Sequence, residues 1–181
     1  MRAMRSRHRG YTLVEIMAAV AIIGIVAVLA VMGIRRWIHW ARTGEDKNLV
    51  QMISLGQHAY YQDTGGYLNC SDDWTDYYPA APDNRKRPFH KPAHGDYGCW
   101  HLIAADSDSP TYAAFVVRAG TNAEQAPSPP TQQVFTWPTA PYDKPWFVVL
   151  GAFDKNGDGV RGYMLTSSFM GSEIHMENED E

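Results

Sequence analysis

The hydrophobic positions of the chain change their pattern near residue 35. Residues 11–34 are apolar throughout, and Glu15 is their single charged side chain. From residue 38 to residue 60, apolar side chains recur at steps of three or four, which is the period of an amphipathic helix. No proline interrupts either stretch, and Gly65 and Gly66 follow them. The sequence therefore predicts one long helix that ends at these glycines.

Short runs of β-branched and aromatic residues after the helix predict strands. The predicted strands are 100–104, 111–118, 134–137, 146–153 and 160–166. Residues 127–145 contain six prolines, which indicates an extended surface loop. We therefore expect an α+β fold in which an antiparallel sheet of about four strands packs on the helix.

The apolar stretch 11–34 is long enough to cross a membrane. As a helix it measures about 36 Å, whereas a bilayer core is about 30 Å thick. Arg35, Arg36, Trp37 and Trp40 follow it, which is typical of the end of a membrane span. The first ten residues carry four arginines and no acid, although the whole chain has a formal net charge of -4. This bias predicts a cytoplasmic N-terminus and a body outside the cytoplasm.

Two simpler interpretations of the apolar stretch compete with a functional one. A cleaved secretory signal is one, but its apolar region normally has only about 7–15 residues. A plain single-span anchor is the other, and it gives Glu15 no role. An acid within a span is energetically unfavourable and by default indicates a function.

The eight residues from Arg9 to Ile16 read RGYTLVEI. This stretch resembles the prepilin signature of type IV pilins and type II secretion pseudopilins. The resemblance implies that a prepilin peptidase cuts between Gly10 and Tyr11 and methylates the new N-terminal residue. It also implies a helical filament of identical subunits, extended by an inner-membrane assembly platform with a cytoplasmic ATPase.

A freed amine on Tyr11 gives Glu15 a specific role in such a filament. Each charge alone is unfavourable in an apolar core, but the amine of one subunit and the carboxylate of its neighbour compensate each other. We therefore expect Glu15 to be an assembly residue that sets the register between subunits, so that Glu15→Ala inserts in the membrane without forming filaments.

The pattern and the resemblance together divide the chain into four segments. These are a leader peptide (1–10), the membrane-spanning assembly half of the helix (11–35), its amphipathic half (36–63) and a β-rich head (64–181). The resemblance places the precursor in the bacterial inner membrane with a periplasmic head, and the mature subunit in an extracellular pilus used in motility, adhesion or DNA uptake. A type II secretion pseudopilin and a membrane binding protein that never polymerises are the alternatives.

The two cysteines, Cys70 and Cys99, lie in the part predicted to be outside the cytoplasm, where disulfides persist. A bridge between them would close a loop of about 30 residues and stabilise the fold by about 3–4 kcal/mol. Two free thiols are the alternative.

Asp154, Asn156 and Asp158 alternate with other residues in a glycine-rich stretch, so they are candidate calcium ligands. An EF-hand is excluded because Leu165 stands where that loop needs a glutamate. The same residue types also build a β-hairpin turn. No other cofactor is expected.

Three further groups of charged or histidine residues are each interpreted without a specific binding site. The basic run 85–87 with Lys91 predicts a solvated loop, with contact to nucleic acid, an anionic polysaccharide or a neighbouring subunit as the alternatives. His90 and His94 have a metal-like spacing, but Pro92 prevents the helix that would align them. The acidic residues at 177–181 predict a frayed tail. No catalytic motif is present, so we expect a structural protein rather than an enzyme.

Overall fold

The structure is a computed structural model that describes residues 10–90, 95, 97–103, 110–121, 128, 143–171 and 173–179. Its elements are helices α1 (Leu13–Thr64) and α2 (Tyr97–Leu102) and strands β1 (Ala114–Gly120), β2 (Trp146–Phe153), β3 (Gly162–Ser167) and β4 (His175–Glu177). The chain forms two compact units, Met1–Trp40 and Ala41–Glu181, and α1 contributes residues to both.

Helix α1 spans 52 residues, which confirms the predicted long helix. It ends where Gly65 adopts a left-handed φ of 81° and donates its N–H to the Tyr61 carbonyl at 2.8 Å. Glycine takes this conformation without a steric penalty, so it is a common residue just after a helix.

The first unit contains the apolar part of α1. Leu13–Ile34 has the length and composition to cross a membrane, and none of it is buried within the chain. A helix that is apolar on all sides needs lipid or other helices around it. This part of α1 therefore needs an apolar environment that the described residues do not supply.

The second unit is built around an antiparallel sheet with the order β1-β2-β3-β4. This confirms the predicted α+β fold with four antiparallel strands. In the register, Val117 lies opposite Val149, and Leu150 lies opposite Leu165. All eight residues of β2 are buried. An unbroken apolar run such as WFVVLGAF is typical of a strand that is covered on both faces.

Different parts of the chain cover the two faces of the sheet. One face packs against the second half of α1 through Leu49, Val50 and Ile53. The other face forms a separate apolar cluster in which Tyr77 and Trp74 lie against β1, β2 and β3. Each large side chain buried in this way contributes about 1.5–3 kcal/mol. The helix and the 74–77 segment thus enclose the sheet between them.

The outer edge of β1 is covered by the segment that follows α1. Cys70 and Ser71 donate their N–H groups to the Val117 carbonyl, and Tyr78 exchanges two backbone hydrogen bonds with Phe115. These bonds occupy backbone groups that an uncovered edge strand would leave open to pairing with another chain.

Several sequence predictions need correction. The predicted strand 100–104 is wrong, because Trp100 and Leu102 belong to α2. Strand β1 begins at Ala114 rather than at residue 111, since Thr111 instead forms an isolated bridge with Arg87. The predicted strand 134–137 lies outside the described residues.

The predicted frayed C-terminal tail is also wrong in part. Glu177 is buried and belongs to β4, which pairs with β3. Its neighbour Glu179 forms an ion pair with Lys47 of α1 at 3.1 Å. Residues 180 and 181 lie outside the described part.

Candidate processing and assembly site

The predicted cleavage point lies in an accessible part of the chain. Gly10 and Tyr11 precede α1 and are exposed, and Tyr11 is 83% exposed. Exposed segments without regular structure are the preferred sites of proteolysis. The bond between these two residues is therefore open to a peptidase.

Glu15 lies in the first turn of α1 and closes a capping box with Thr12. The Thr12 backbone N–H and hydroxyl each donate to Glu15 Oε2 at 2.9 Å. In return, the Glu15 N–H donates to Thr12 Oγ1 at 3.3 Å. Thr12 is thus the N-cap, and the sequence T-x-x-E before an apolar run is the known signature of this motif. The sequence reasoning missed it, although this signal was present.

The capping box gives the Glu15 carboxylate partners within its own chain. Two hydrogen bonds and the positive end of the helix dipole both favour the negative charge at this position. Cleavage after Gly10 would create an amine one residue before Thr12. The helix start therefore places Glu15, Thr12 and the prospective amine within one short segment.

The structure joins Cys70 to Cys99 in a disulfide, with Cα atoms 5.5 Å apart and a sequence separation of 29. This is the pair that the sequence analysis proposed. The bridge ties the segment that covers the edge of β1 to helix α2.

The Asp154–Asp158 stretch is a hairpin turn between β2 and β3. Asp154 accepts the N–H groups of Gly157 at 2.7 Å and of Gly159 at 3.1 Å. Asn156 Oδ1 accepts the Asp158 N–H at 2.9 Å. Gly157 and Gly159 have φ values of 78° and 88°, which favour glycine.

This geometry fits a turn better than a calcium site. Both oxygens of Asp154 already accept turn N–H groups, and Asp158 Oδ1 accepts the Val160 N–H at 2.7 Å. Calcium takes six to eight oxygen ligands, whereas the oxygens of these three side chains accept hydrogen bonds within the turn, four of them from backbone N–H groups. Within the described ranges, no group of three or more His, Cys, Asp or Glu is placed to hold a metal ion. Calcium binding here stays an untested prediction.

Three consecutive residues near the start of the second unit connect α1 to distant parts of the head. Their ion pairs are Glu45 with Lys86 at 3.0 Å, Asp46 with Lys155 at 3.1 Å and Lys47 with Glu179 at 3.1 Å. The first and third pairs are exposed to solvent, and the middle pair is buried. The sequence reasoning did not predict any of these contacts.

The buried pair lies in a polar pocket closed by two threonines. The Lys155 and Asp46 side chains are only 3% and 1% exposed. The Thr111 hydroxyl donates to Asp46 Oδ1 at 2.8 Å, and Lys155 Nζ donates to Thr43 Oγ1 at 3.0 Å. Burial raises the pKa of the Asp46 carboxyl, which Lys155 partly opposes, and burial lowers the pKa of the Lys155 amine.

Two of the four basic residues of the predicted basic spot form ion pairs with acids. Lys86 pairs with Glu45, and Arg87 forms a close ion pair with Asp83 that holds the pKa of that carboxyl below its usual value. These two pairs reduce the positive charge that the loop presents to an anionic partner. Lys91 lies outside the described residues.

Comparison with known proteins identifies the N-terminal segment. Residues 5–31 match the family model described as the prokaryotic N-terminal methylation motif. No curated protein and no solved structure matches the chain significantly. The matched segment contains Gly10, Tyr11 and Glu15 and most of the apolar part of α1. Residues 5–31 thus carry the prepilin signature that type IV pilins and pseudopilins share.

Proposed function

We propose that this protein is the structural subunit of a type IV pilin-like surface filament. The precursor is cut between Gly10 and Tyr11, Tyr11 is methylated, and subunits polymerise through the apolar part of α1. The observation that carries this proposal is the methylation motif at residues 5–31, which overlaps most of the exposed apolar helix Leu13–Ile34.

The exposed apolar helix supports polymerisation on physical grounds. Its side chains are exposed along its whole length, including Ile16, Ile23 and Leu29. Lipid covers such a surface before assembly, and the helices of neighbouring subunits cover it in a filament. Apolar contact gains about 25 cal/mol per Å² relative to water, so a subunit leaves the membrane only for an equally apolar environment.

Glu15 supplies specificity in this proposal. Its carboxylate accepts hydrogen bonds from Thr12 in the single chain. When a neighbour's Tyr11 amine approaches, the opposite charges attract strongly in the apolar filament core. Removing either partner leaves a buried charge uncompensated, which costs about 3–5 kcal/mol. Glu15 therefore favours one register of neighbouring helices over others.

The processing motif also implies partners and a location. A prepilin peptidase would act on the precursor in the bacterial inner membrane, with the N-terminus in the cytoplasm and the head in the periplasm. An assembly platform and a cytoplasmic ATPase would then extend the filament to the cell surface. A pseudopilin of a secretion system would share these early steps and differ in where its filament ends.

The mass of the mature N-terminus tests the processing step. We expect a chain that begins with methylated Tyr11 when it is made with a prepilin peptidase, and a full-length chain when the peptidase is absent. Gly10→Val should block cutting without altering the membrane span. A chain that keeps Met1 beside an active peptidase would support the rival interpretation, a single-span protein that does not polymerise.

A matched pair of glutamate variants tests the assembly step. Glu15→Ala should insert and be cut normally but form no filaments visible by electron microscopy. Glu45→Ala is the control, because Glu45 lies on the same helix but forms an exposed ion pair within the head. Normal filament yield from Glu15→Ala would refute the proposed pairing with the Tyr11 amine.

A further inference from the structure

Two histidines lie side by side on the surface of the head, far along the chain from the methylation motif. The ring centroids of His90 and His101 are 6.5 Å apart. Tyr97 lies between them in the sequence and contacts both. Its hydroxyl is 2.7 Å from His90 Nε2, and its ring stacks on His101 at 5.7 Å. All three side chains reach solvent.

Buried aromatic residues fix the positions of both histidines. His90 directly follows Phe89, and His101 directly follows Trp100, and each of these neighbours is 1% exposed. The rings of Phe89 and Trp100 are 6.0 Å apart. The spacing of the two histidines thus follows from the packing of two adjacent core side chains.

Three further contacts hold this part of the head in place. Tyr78 stacks on Trp100 at 4.7 Å, and its hydroxyl donates to the Phe89 carbonyl at 2.7 Å. Cys99, which lies between Tyr97 and His101 on α2, forms the disulfide with Cys70. The backbone that carries the two histidines is therefore well anchored, although the imidazole rings are exposed.

We infer that His90 and His101 form a surface site for a divalent late transition metal ion. Neutral imidazole is a preferred ligand of Cu²⁺, Ni²⁺ and Zn²⁺. Two nitrogens that each lie about 2.0–2.1 Å from one ion are within about 4 Å of each other. The two ring centroids are 6.5 Å apart, so the rings bind one ion when their exposed side chains rotate to direct one nitrogen of each towards it.

Tyr97 acts as a positioning residue in this site. Ligand imidazoles in proteins are usually oriented by a hydrogen bond on their second nitrogen. The Tyr97 hydroxyl lies within hydrogen-bond distance of His90 and restricts the rotation of its ring. Its own ring, one helical turn before His101, restricts that imidazole by stacking.

Among the described residues, no third His, Cys, Asp or Glu is grouped with these two histidines to hold a metal ion. The sequence analysis considered His90 with His94, whereas the structure brings His90 together with His101, and His94 lies outside the described residues.

Copper titration of the full chain in detergent tests the inference, because Cu²⁺ binds such sites most tightly among these ions. We expect saturable binding with the electron paramagnetic resonance signature of imidazole nitrogen coordination. His90→Ala and His101→Ala should each weaken binding by more than about tenfold, since even loss of an orienting group weakens metal binding by about 10–100-fold.

A matched control separates this site from general copper binding by histidines. His175→Ala removes another solvent-accessible imidazole, from strand β4, and should leave the copper affinity unchanged. Tyr97→Phe keeps the ring but removes the hydroxyl, and should weaken binding without abolishing it. The inference is overturned if His90→Ala and His101→Ala bind copper as the unmodified chain does, or if His175→Ala loses as much affinity as they do.

Discussion

The buried ion pair between Asp46 and Lys155 gives the sharpest prediction for stability. Lys155→Met keeps most of the volume and the apolar stem of the side chain but removes its charge. Asp46 then stays in a pocket where its side chain is 1% exposed, with the Thr111 hydroxyl as its remaining hydrogen-bond donor from a side chain. An uncompensated carboxylate in that position is strongly unfavourable.

The expected magnitude follows from the burial of the pair. Breaking a buried ion pair by removing one partner typically destabilises a protein by about 3–5 kcal/mol. Lys86→Met is the matched control, because Lys86 pairs with the adjacent Glu45 at 3.0 Å but both side chains are more than a third exposed. Exposed pairs contribute only about 0.2–1 kcal/mol.

The effect of Lys155→Met should also depend on pH. In the intact pair, burial raises the pKa of Asp46 and Lys155 opposes that rise. Without Lys155 the pKa of Asp46 should rise further, because only the hydrogen bonds from Thr111 and Ala113 would still oppose the effect of burial. A carboxyl whose pKa is higher in the folded than in the unfolded state favours folding when the pH is below its unfolded pKa. This contribution to stability is lost as the pH rises through the folded pKa. Acidification from about pH 7 towards about pH 4 should therefore reduce the destabilisation.

Denaturant unfolding of the full chain in detergent, followed by tryptophan fluorescence, measures these effects. Trp100 and Trp146 are buried in the head and report on its unfolding. A double variant, Asp46→Asn with Lys155→Met, should be more stable than Lys155→Met alone because it contains no stranded charge. Equal losses from Lys155→Met and Lys86→Met would refute the reasoning, as would a destabilisation that grows on acidification.

Three further predictions concern the head. Reducing the disulfide, or replacing Cys70 by Ser, should lower the free energy of unfolding by about 3–4 kcal/mol in the same assay, because it releases a long loop in the unfolded chain. Gly56→Ala should destabilise the fold by about 1–3 kcal/mol, since the added Cβ would overlap the Ile103 carbonyl oxygen. Gly44→Ala is the control: its added Cβ meets no atom within 4 Å, so the change should be neutral or stabilising. Asp154→Ala should lower the unfolding temperature by removing the acceptor of two turn N–H groups, whereas a calcium chelator should leave it unchanged; a shift with chelator would show that the turn binds calcium.

The pattern of apolar residues predicted the two longest elements because it extends over the whole of each. Helix α1 combines an apolar stretch with an amphipathic one and ends at Gly65, a residue with special backbone freedom. Strand β2 was predicted with its observed bounds because an apolar run of only eight residues, rich in β-branched and aromatic side chains, favours a strand over a helix.

The sequence was less informative where tertiary contacts decide the local structure. Residues 100–104 contain apolar side chains that suit a strand, but Trp100 and Ile103 are both buried in the core, and their spacing of three suits a helical turn. The disulfide at Cys99 adds a constraint that local propensity does not include. A short segment of this kind adopts the structure that its anchors allow.

At the start of α1, two motifs share the same residues, and the sequence analysis identified only one of them. The stretch Thr12 to Glu15 was read for its resemblance to a processing motif, yet the same residues form a capping box. The two roles are compatible, because a cap supplies local hydrogen bonds to a carboxylate that a filament would later pair with an amine.

The three ion pairs of residues 45–47 show why neighbours in sequence can have distant partners. Successive residues of a helix point about 100° apart, so three of them face widely different directions. Each direction meets a different part of the head, namely Lys86, Lys155 and Glu179. Rotation of this part of α1 within the head would separate all three pairs at once. Because the middle pair is buried, such a rotation would also leave Asp46 and Lys155 buried without their partner charges. The three ion pairs therefore fix the rotational position of this part of α1 more precisely than the apolar contacts of Leu49 and Ile53 alone.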